Sequence, residues 1–304
     1  MTAKVIKLDP LAALDAQAKQ IEQGIQSPRT VDAYQRVLAS FDDWCQTRGV
    51  SSCSRSAIAY LTEMHNQGLA YATINQAYSA LVQAGYRSER LENLIQSLKR
   101  EHATRPKKRL KALTPELAQA MIGALDLSTH RGIRDRALLT TAWVTASRKK
   151  ELLGLDVNHI VSIPDGFTLQ VVEKGSIDSR LKLVLKDFAL DAYQSLKNYL
   201  DLVGDTGPLW RPVSRADRLV DRRLSRSGFD SVFSKTLQSA GIDPSQYSPH
   251  SIRAGFITDC AKRGVHMAIT QAVTGHKSLE AMKRYYDQSE LLQNHPMSMG
   301  DNDQ

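Results

Sequence analysis

Near its C-terminal end the 304-residue chain reads Ser248-Pro249-His250-Ser251-Ile252-Arg253, then Gly275-His276, then Tyr285-Tyr286, which gathers basic residues and phenols into one short stretch. Residues of these types suit chemistry on a phosphodiester. A phosphate oxyanion needs several hydrogen-bond donors aimed at it, and His250 and Arg253, three apart, share one face of any helix that carries them. A phenol beside them is a nucleophile for phosphorus. Taken alone, His-Ser-Ile-Arg is a weak signal, because such pairs usually decorate a surface or satisfy a backbone carbonyl. The ordered set is stronger: Arg148 within Thr145-Ala146-Ser147-Arg148-Lys149-Lys150-Glu151, Lys174 at a hairpin turn, His250 with Arg253, His276 after a glycine, and Tyr285 nine residues later.

The elements that must position these groups are mainly helical. Val31, Tyr34, Leu38, Phe41 and Trp44 recur at three- and four-residue intervals and predict an amphipathic helix ending near Gly49. Similar patterns run through Ile58, Leu61 and Met64 to Gly68, through Ile74, Tyr78, Leu81 and Val82 to Gly85, and from Glu89 to Leu98. With no strand pattern among them, residues 27–98 are expected to form a small all-α domain after a flexible arm over 1–26. Residues 99–112 carry Lys99, Arg100, Arg105, Lys107, Lys108, Arg109 and Lys111 against the single acid Glu101, with Pro106 breaking any helix. A solvated charge run is the ordinary meaning of such a stretch. Its lack of interleaved acids favours a basic interdomain linker that touches phosphates.

A second domain, 113–292, opens at Leu113-Thr114-Pro115-Glu116, where Thr114 suits an N-cap and Pro115 the first helical position. Helices are predicted near 115–125 and 131–146. The period then changes to two: Phe167, Leu169 and Val171 alternate, as do Leu181, Leu183 and Leu185, giving an antiparallel hairpin around Gly175. Further helices are predicted from Asp187 to Leu202, from about Arg226 to Ala240, and from a Ser248 N-cap to Gly264. A tail, 293–304, follows.

Composition narrows the function. A net charge of +8 with 42% apolar residues describes a globular protein with a polyanionic partner, nucleic acid first. Cys45, Cys53 and Cys260 form no C-x-x-C, so neither zinc nor a disulfide framework is indicated, and a reducing cytoplasm fits. The chain lacks the carboxylate cluster of two-metal nucleases and the G-x-x-x-x-G-K-[ST] loop, so no metal or other cofactor is expected. Met1 to Pro10 lacks the apolar run of a signal peptide, and Ala137 to Ala146 is too short to span a bilayer.

The ordered set resembles the tyrosine recombinase (phage integrase) family, Xer-like and Cre-like, over residues 27–292. The resemblance implies a helical core-binding domain followed by a mostly helical catalytic domain with a small antiparallel sheet. It implies a site-specific recombinase that cleaves and rejoins DNA through a 3′-phosphotyrosyl link for integration, excision or resolution. Arg148 and Arg253 would then hold the scissile phosphate, Glu151 would orient a guanidinium, and Lys174 would protonate the leaving 5′-hydroxyl. Lys182 or Lys186 would reach the site if the hairpin register differs. His250 and His276 would donate to the phosphate or move protons, and Tyr285 would attack, with Tyr286 a core residue. The implied partners are a double-stranded recombination site, three further copies of the chain across two sites, and possible DNA-bending or directionality proteins; the tail beyond Tyr286 would pack in cis or on a neighbour. Ala146-Ser147 stands where Gly-Leu commonly precedes the first arginine, Ala254-Gly255 where His-Thr is frequent, and Thr274 where Leu is frequent. A type IB topoisomerase-like relaxer, a catalytically inactive DNA-binding protein of the same fold and a basic helical adaptor remain open readings at this point.

Overall fold

Leu38, Phe41, Trp44 and Cys45 line one side of a helix, α1 (Pro28–Thr47), and turn toward three others: α2 (Ser54–Asn66), α3 (Tyr71–Gln83) and α4 (Glu89–Thr104). Phe41, Leu61, Ile74, Leu81 and Leu91 are fully buried between them. The computed structural model describes residues 28–105, 110–172, 179–276, 278–280, 282–283 and 285–286, and the chain divides into two compact units, 1–108 and 109–304. The expected arm over 1–26, the linker cations Lys107, Lys108 and Arg109, the turn lysine Lys174 and the tail over 293–304 lie outside the described residues. The helix opened by Glu89 does not stop at Leu98. It continues to Thr104, because Leu91, Ile95 and Leu98 keep the apolar spacing while no breaker intervenes before Pro106.

The second unit is built around α6 (His130–Thr145), buried almost end to end. Two of its three threonines tolerate burial because they bond back along the helix: Thr140 Oγ1 donates to Arg136 O at 2.8 Å and Thr145 Oγ1 to Thr141 O at 2.6 Å. Before it, Thr114 caps α5 (Pro115–Gly123), accepting from the Leu117 amide at 3.3 Å with Pro115 in the first turn. After it come the short α7 (Lys149–Leu153) and a three-stranded antiparallel sheet in the order β1 (Ile160–Ile163), β2 (Gly166–Val172), β3 (Ser179–Leu185). The sequence reading anticipated β2 and β3; β1 shows no alternation to announce it. Helices α8 (Ala192–Val203), α9 (Arg226–Ser239), α10 (Pro249–Lys262) and α11 (Met267–Thr274) complete the unit. Trp143, Leu152, Leu169, Leu196, Tyr199, Trp210 and Phe229 share its core.

The pairing of β2 with β3 decides which side of each strand faces that core. Phe167 pairs with Val184, Leu169 with Lys182 and Val171 with Arg180, so these residues share one face. Phe167, Leu169, Val171 and Val184 are buried there. The leucine alternation of β3 therefore points outward: Leu181 is 58% exposed and Leu183 44%, while Lys182 is 3% exposed. A one-residue difference in facing exchanges the whole set.

Candidate active site

Helix α6 ends at Ala146, whose backbone is left-handed at φ 45°, ψ 33°. The chain turns there, and Arg148 becomes the residue that opens α7. One helical turn on, Glu151 accepts from the Arg148 amide at 2.9 Å and from Arg148 Nη1 at 2.6 Å. Burial works to raise the Glu151 pKa, but these two bonds and the guanidinium charge outweigh it and hold the carboxyl below its ordinary range. The ionised carboxylate fixes the guanidinium, whose side chain keeps 42% of its surface open to solvent.

A second left-handed turn faces this one. Helix α11 ends at Gly275, φ 70°, and His276 follows. The two turns are cross-braced: Arg148 Nη2 donates to Gly275 O at 2.7 Å, and Arg253 Nη1, from α10, donates to Ala146 O at 2.5 Å. Arg253 is 3% exposed, and its Nη2 lies 3.3 Å from the His276 ring nitrogens. Thr274 Oγ1 donates to Thr270 O at 2.7 Å and sits 2.8 Å from His276 Nδ1. With its proton committed to a carbonyl, that hydroxyl accepts from Nδ1–H, which assigns Nε2 as the acceptor of the ring. Burial, then repulsion from Arg253 and Arg148, lowers the His276 pKa to about 4, so the imidazole is neutral at pH 7. His250 is exposed at the start of α10, and its charge contributes to that repulsion.

Positive charge is concentrated here beyond what one carboxylate offsets. Burial and then Arg148 lower the Arg253 pKa to about 10, with Arg180 adding to the repulsion and Glu151 opposing it. Burial also lowers Lys182 to about 7, against Glu151 and together with Arg253, Arg180 and Arg148. Cations held close together and partly desolvated are stabilised by an entering anion. The two phenols stand differently toward this cluster. Tyr286 donates its hydroxyl to Val265 O at 2.9 Å and meets Thr270 Oγ1 at 2.6 Å, whereas Tyr285 lies close to Arg253.

Residues 111–291, which contain every one of these groups, match the model of the phage integrase family. The chain belongs to the phage integrase family. It is a tyrosine recombinase, of the family of enzymes that cleave and rejoin DNA. The tyrosine recombinase XerD of Xanthomonas campestris pv. campestris is 28% identical over 92% of this chain and 90% of its own length. An integrase/recombinase XerD homologue of Selenomonas ruminantium is 23% identical over 98% of this chain and 93% of its own. Among solved structures, XerH recombinase bound to palindromic difH substrate in a post-cleavage complex superposes with a TM-score of 0.64 at 16% identity, covering 88% of this chain and 79% of that one. The likeness is one of fold, and it extends to the mainly helical architecture with a small antiparallel sheet expected from the sequence.

Within the recombinase, Arg148, Glu151, Arg253 and His276 are hydrogen-bonded into one cluster, with His250 adding to the repulsion on His276 and Tyr285 lying close to Arg253. The basic segment is less uniform than its composition suggested. Lys99 and Arg100 are exposed on α4, Arg105 Nη2 is engaged by Glu101 Oε1 at 2.5 Å, and Lys111 is exposed with its amide fixed to Gln246 O at 2.9 Å. Sequence reasoning passed over Arg180 and the supporting Thr274, and named Lys182 only as an alternative. For Arg180 and Lys182 the available signal is a run in which basic residues and leucines alternate through one strand, the basic ones cross-strand from Val171 and Leu169; Thr274 has no such signal.

Proposed function

We propose that this recombinase acts on double-stranded DNA sites, with Tyr285 as the nucleophile of a transesterification at the scissile phosphate. The phenolic oxygen attacks phosphorus, its proton passes to a site imidazole, and the bond to the 5′-oxygen breaks. Lys174 delivers a proton to that oxygen. The product is a 3′-phosphotyrosyl link and a 5′-hydroxyl; a 5′-hydroxyl from a partner strand reverses the step and restores a phosphodiester. Arg148 and Arg253 bind the nonbridging oxygens, where planar donors match the geometry of a phosphate. The observation that carries this reading is the cross-bracing of Arg148 and Arg253 onto two facing turns beside His276, with Tyr285 near Arg253 and the Tyr286 hydroxyl already committed elsewhere.

Four protomers on two duplexes, with accessory bending or directionality proteins, belong to the same reading, which places the reaction in the cytoplasm. The outward Leu181 and Leu183 border an apolar groove of about 670 Å³ with Phe188, Phe256 and Ile269, a surface suited to contact between copies. Lys99, Arg100 and Lys111 contribute phosphate contacts. Among the described residues no helix is long and apolar enough to cross a membrane.

The test uses duplexes from DNA flanking the gene, nicked so that the cleaved end diffuses away, incubated without metal and resolved on a denaturing gel. Wild type and Tyr286→Phe are expected to give a covalent adduct that Tyr285→Phe does not form. An adduct lost only in Tyr286→Phe reassigns the nucleophile. Tight, specific binding with no adduct from any of the three makes the chain an inactive DNA-binding protein.

A further inference from the structure

Lys182 is the least expected side chain in the molecule. It sits in the middle of β3 opposite Leu169, on the apolar face of the sheet, where a leucine or methionine would pack without the cost of burying charge. Its Nζ donates to Thr145 O at 2.8 Å and also to Val273 O. These carbonyls are not arbitrary. Thr145 is the last residue of α6 and Val273 the last but one of α11, where carbonyls lack an intrahelical donor and the helix end carries partial negative charge. Each lies within two residues of a left-handed turn, at Ala146 and at Gly275. From those turns project Arg148 and His276.

We propose that Lys182 is a positioning residue for strand cleavage, its amine tying the end of α6 to the end of α11 so that Arg148, Arg253 and His276 are held at one spacing. Arg253 also reaches its carbonyl partner on the α6 turn, and Arg148 reaches its own on the α11 turn, so any parting of the two helix ends moves all three groups together. Rate depends steeply on such spacing. The same geometry argues against a direct role as proton donor: Nζ faces two carbonyls inside the protein, whereas a leaving oxygen must arrive from the DNA side. Glu151, Arg148, Arg180, Arg253 and His276 are the charged or titratable groups that act on or respond to it. The inference rests on the strand-transfer reading given above.

The test compares wild type with Lys182→Met, which conserves length and removes the donors, and with Lys182→Gln, which keeps amide donors on a shorter stem. Single-turnover cleavage is measured on nicked duplexes carrying either oxygen or sulfur at the 5′-bridging position, since a thiolate leaves without being protonated. Lys182→Met is expected to cleave both duplexes at least about tenfold more slowly, with duplex affinity within about twofold of wild type. In the free protein, the arginine Nε–H and His276 ring resonances are expected to move. Sulfur restoring the Lys182→Met rate would make Lys182 the proton donor and overturn the proposal. Unchanged cleavage, or resonances that stay in place, would also overturn it. Loss of binding and melting temperature in both variants together would reduce Lys182 to a folding residue. If wild type forms no adduct while the resonances still move, the strand-transfer reading fails and the bracing stands.

Discussion

The two units of the chain bury different things. Among the described residues of the first, Ser56 is the buried polar residue, and its cations Lys99 and Arg100 stay in water. The second buries Arg134, Asp135, Lys182 and Arg253 as well as several threonines. The contrast continues inside that unit. Arg134 Nε has a carboxylate of its own, Asp135 Oδ1 at 2.5 Å, and its Nη1 a carbonyl, Arg211 O at 2.6 Å, an arrangement that serves packing. Arg253 and Lys182 are crowded by like charge and share Glu151. Buried charge left undercompensated destabilises a free domain, and it is useful where an anion is to be bound.

That difference predicts which substitutions hurt catalysis and which hurt only folding. The largest effect is expected at the guanidinia: Arg148→Lys or Arg253→Lys replaces a planar fork with a point charge and is expected to slow cleavage by roughly 10²-fold or more, with affinity for the duplex largely kept. Equal loss of binding and cleavage would erase the distinction between site and scaffold. Next is Gly275→Ala. A Cβ there overlaps the Arg180 guanidinium and strains a left-handed backbone, so a stability loss of about 2 kcal/mol and slower cleavage are expected in denaturant titration and adduct assays.

Titration sharpens the same comparison. Lys182 is lowered to about 7, so between pH 7 and the ordinary lysine value the unfolded chain holds a proton that the native one has released. Stability contributed by this site therefore rises with pH across that window, and the full penalty is felt below it. His276, lowered to about 4, has the same sign between pH 4 and its ordinary value near 6.5. Wild type is expected to gain stability relative to Lys182→Met as pH rises from 6 to 9, read from melting temperatures; an opposite slope would show that Lys182 is not penalised by burial.

The smallest effect is at Ala146. A non-glycine residue at φ 45° stores about 1 kcal/mol, so Ala146→Gly is expected to raise the melting temperature by about 2–4 °C. The alanine bears a backbone that a glycine would adopt without strain.

Periodicity and caps carried much of the fold. The stripe through Leu38 and Phe41, the Thr114-Pro115 start and the Phe167–Val171 alternation each follow from one local rule. What stayed hidden depended on pairing across the chain. Alternation announced β3 but could not say whether leucine or lysine faced inward, because that was set by Leu169 and Val171 on a different strand. β1, with Ile160 and Ile163 half-buried and Val161 and Ser162 exposed, has no period to read. The site residues were visible as an ordered set of chemical types, yet the cross-bracing of Arg148 and Arg253 runs through backbone carbonyls, which leave no trace in sequence.

In the proposed reaction these two guanidinia are aimed at one phosphate, with Tyr285 in line behind it. A crystal structure of the protein on a cleaved duplex with vanadate in place of the scissile phosphate tests it directly. The predicted result is a five-coordinate vanadium with Tyr285 Oη apical and Arg148 and Arg253 on its equatorial oxygens. Vanadate held with another residue apical, or without either arginine, would contradict it.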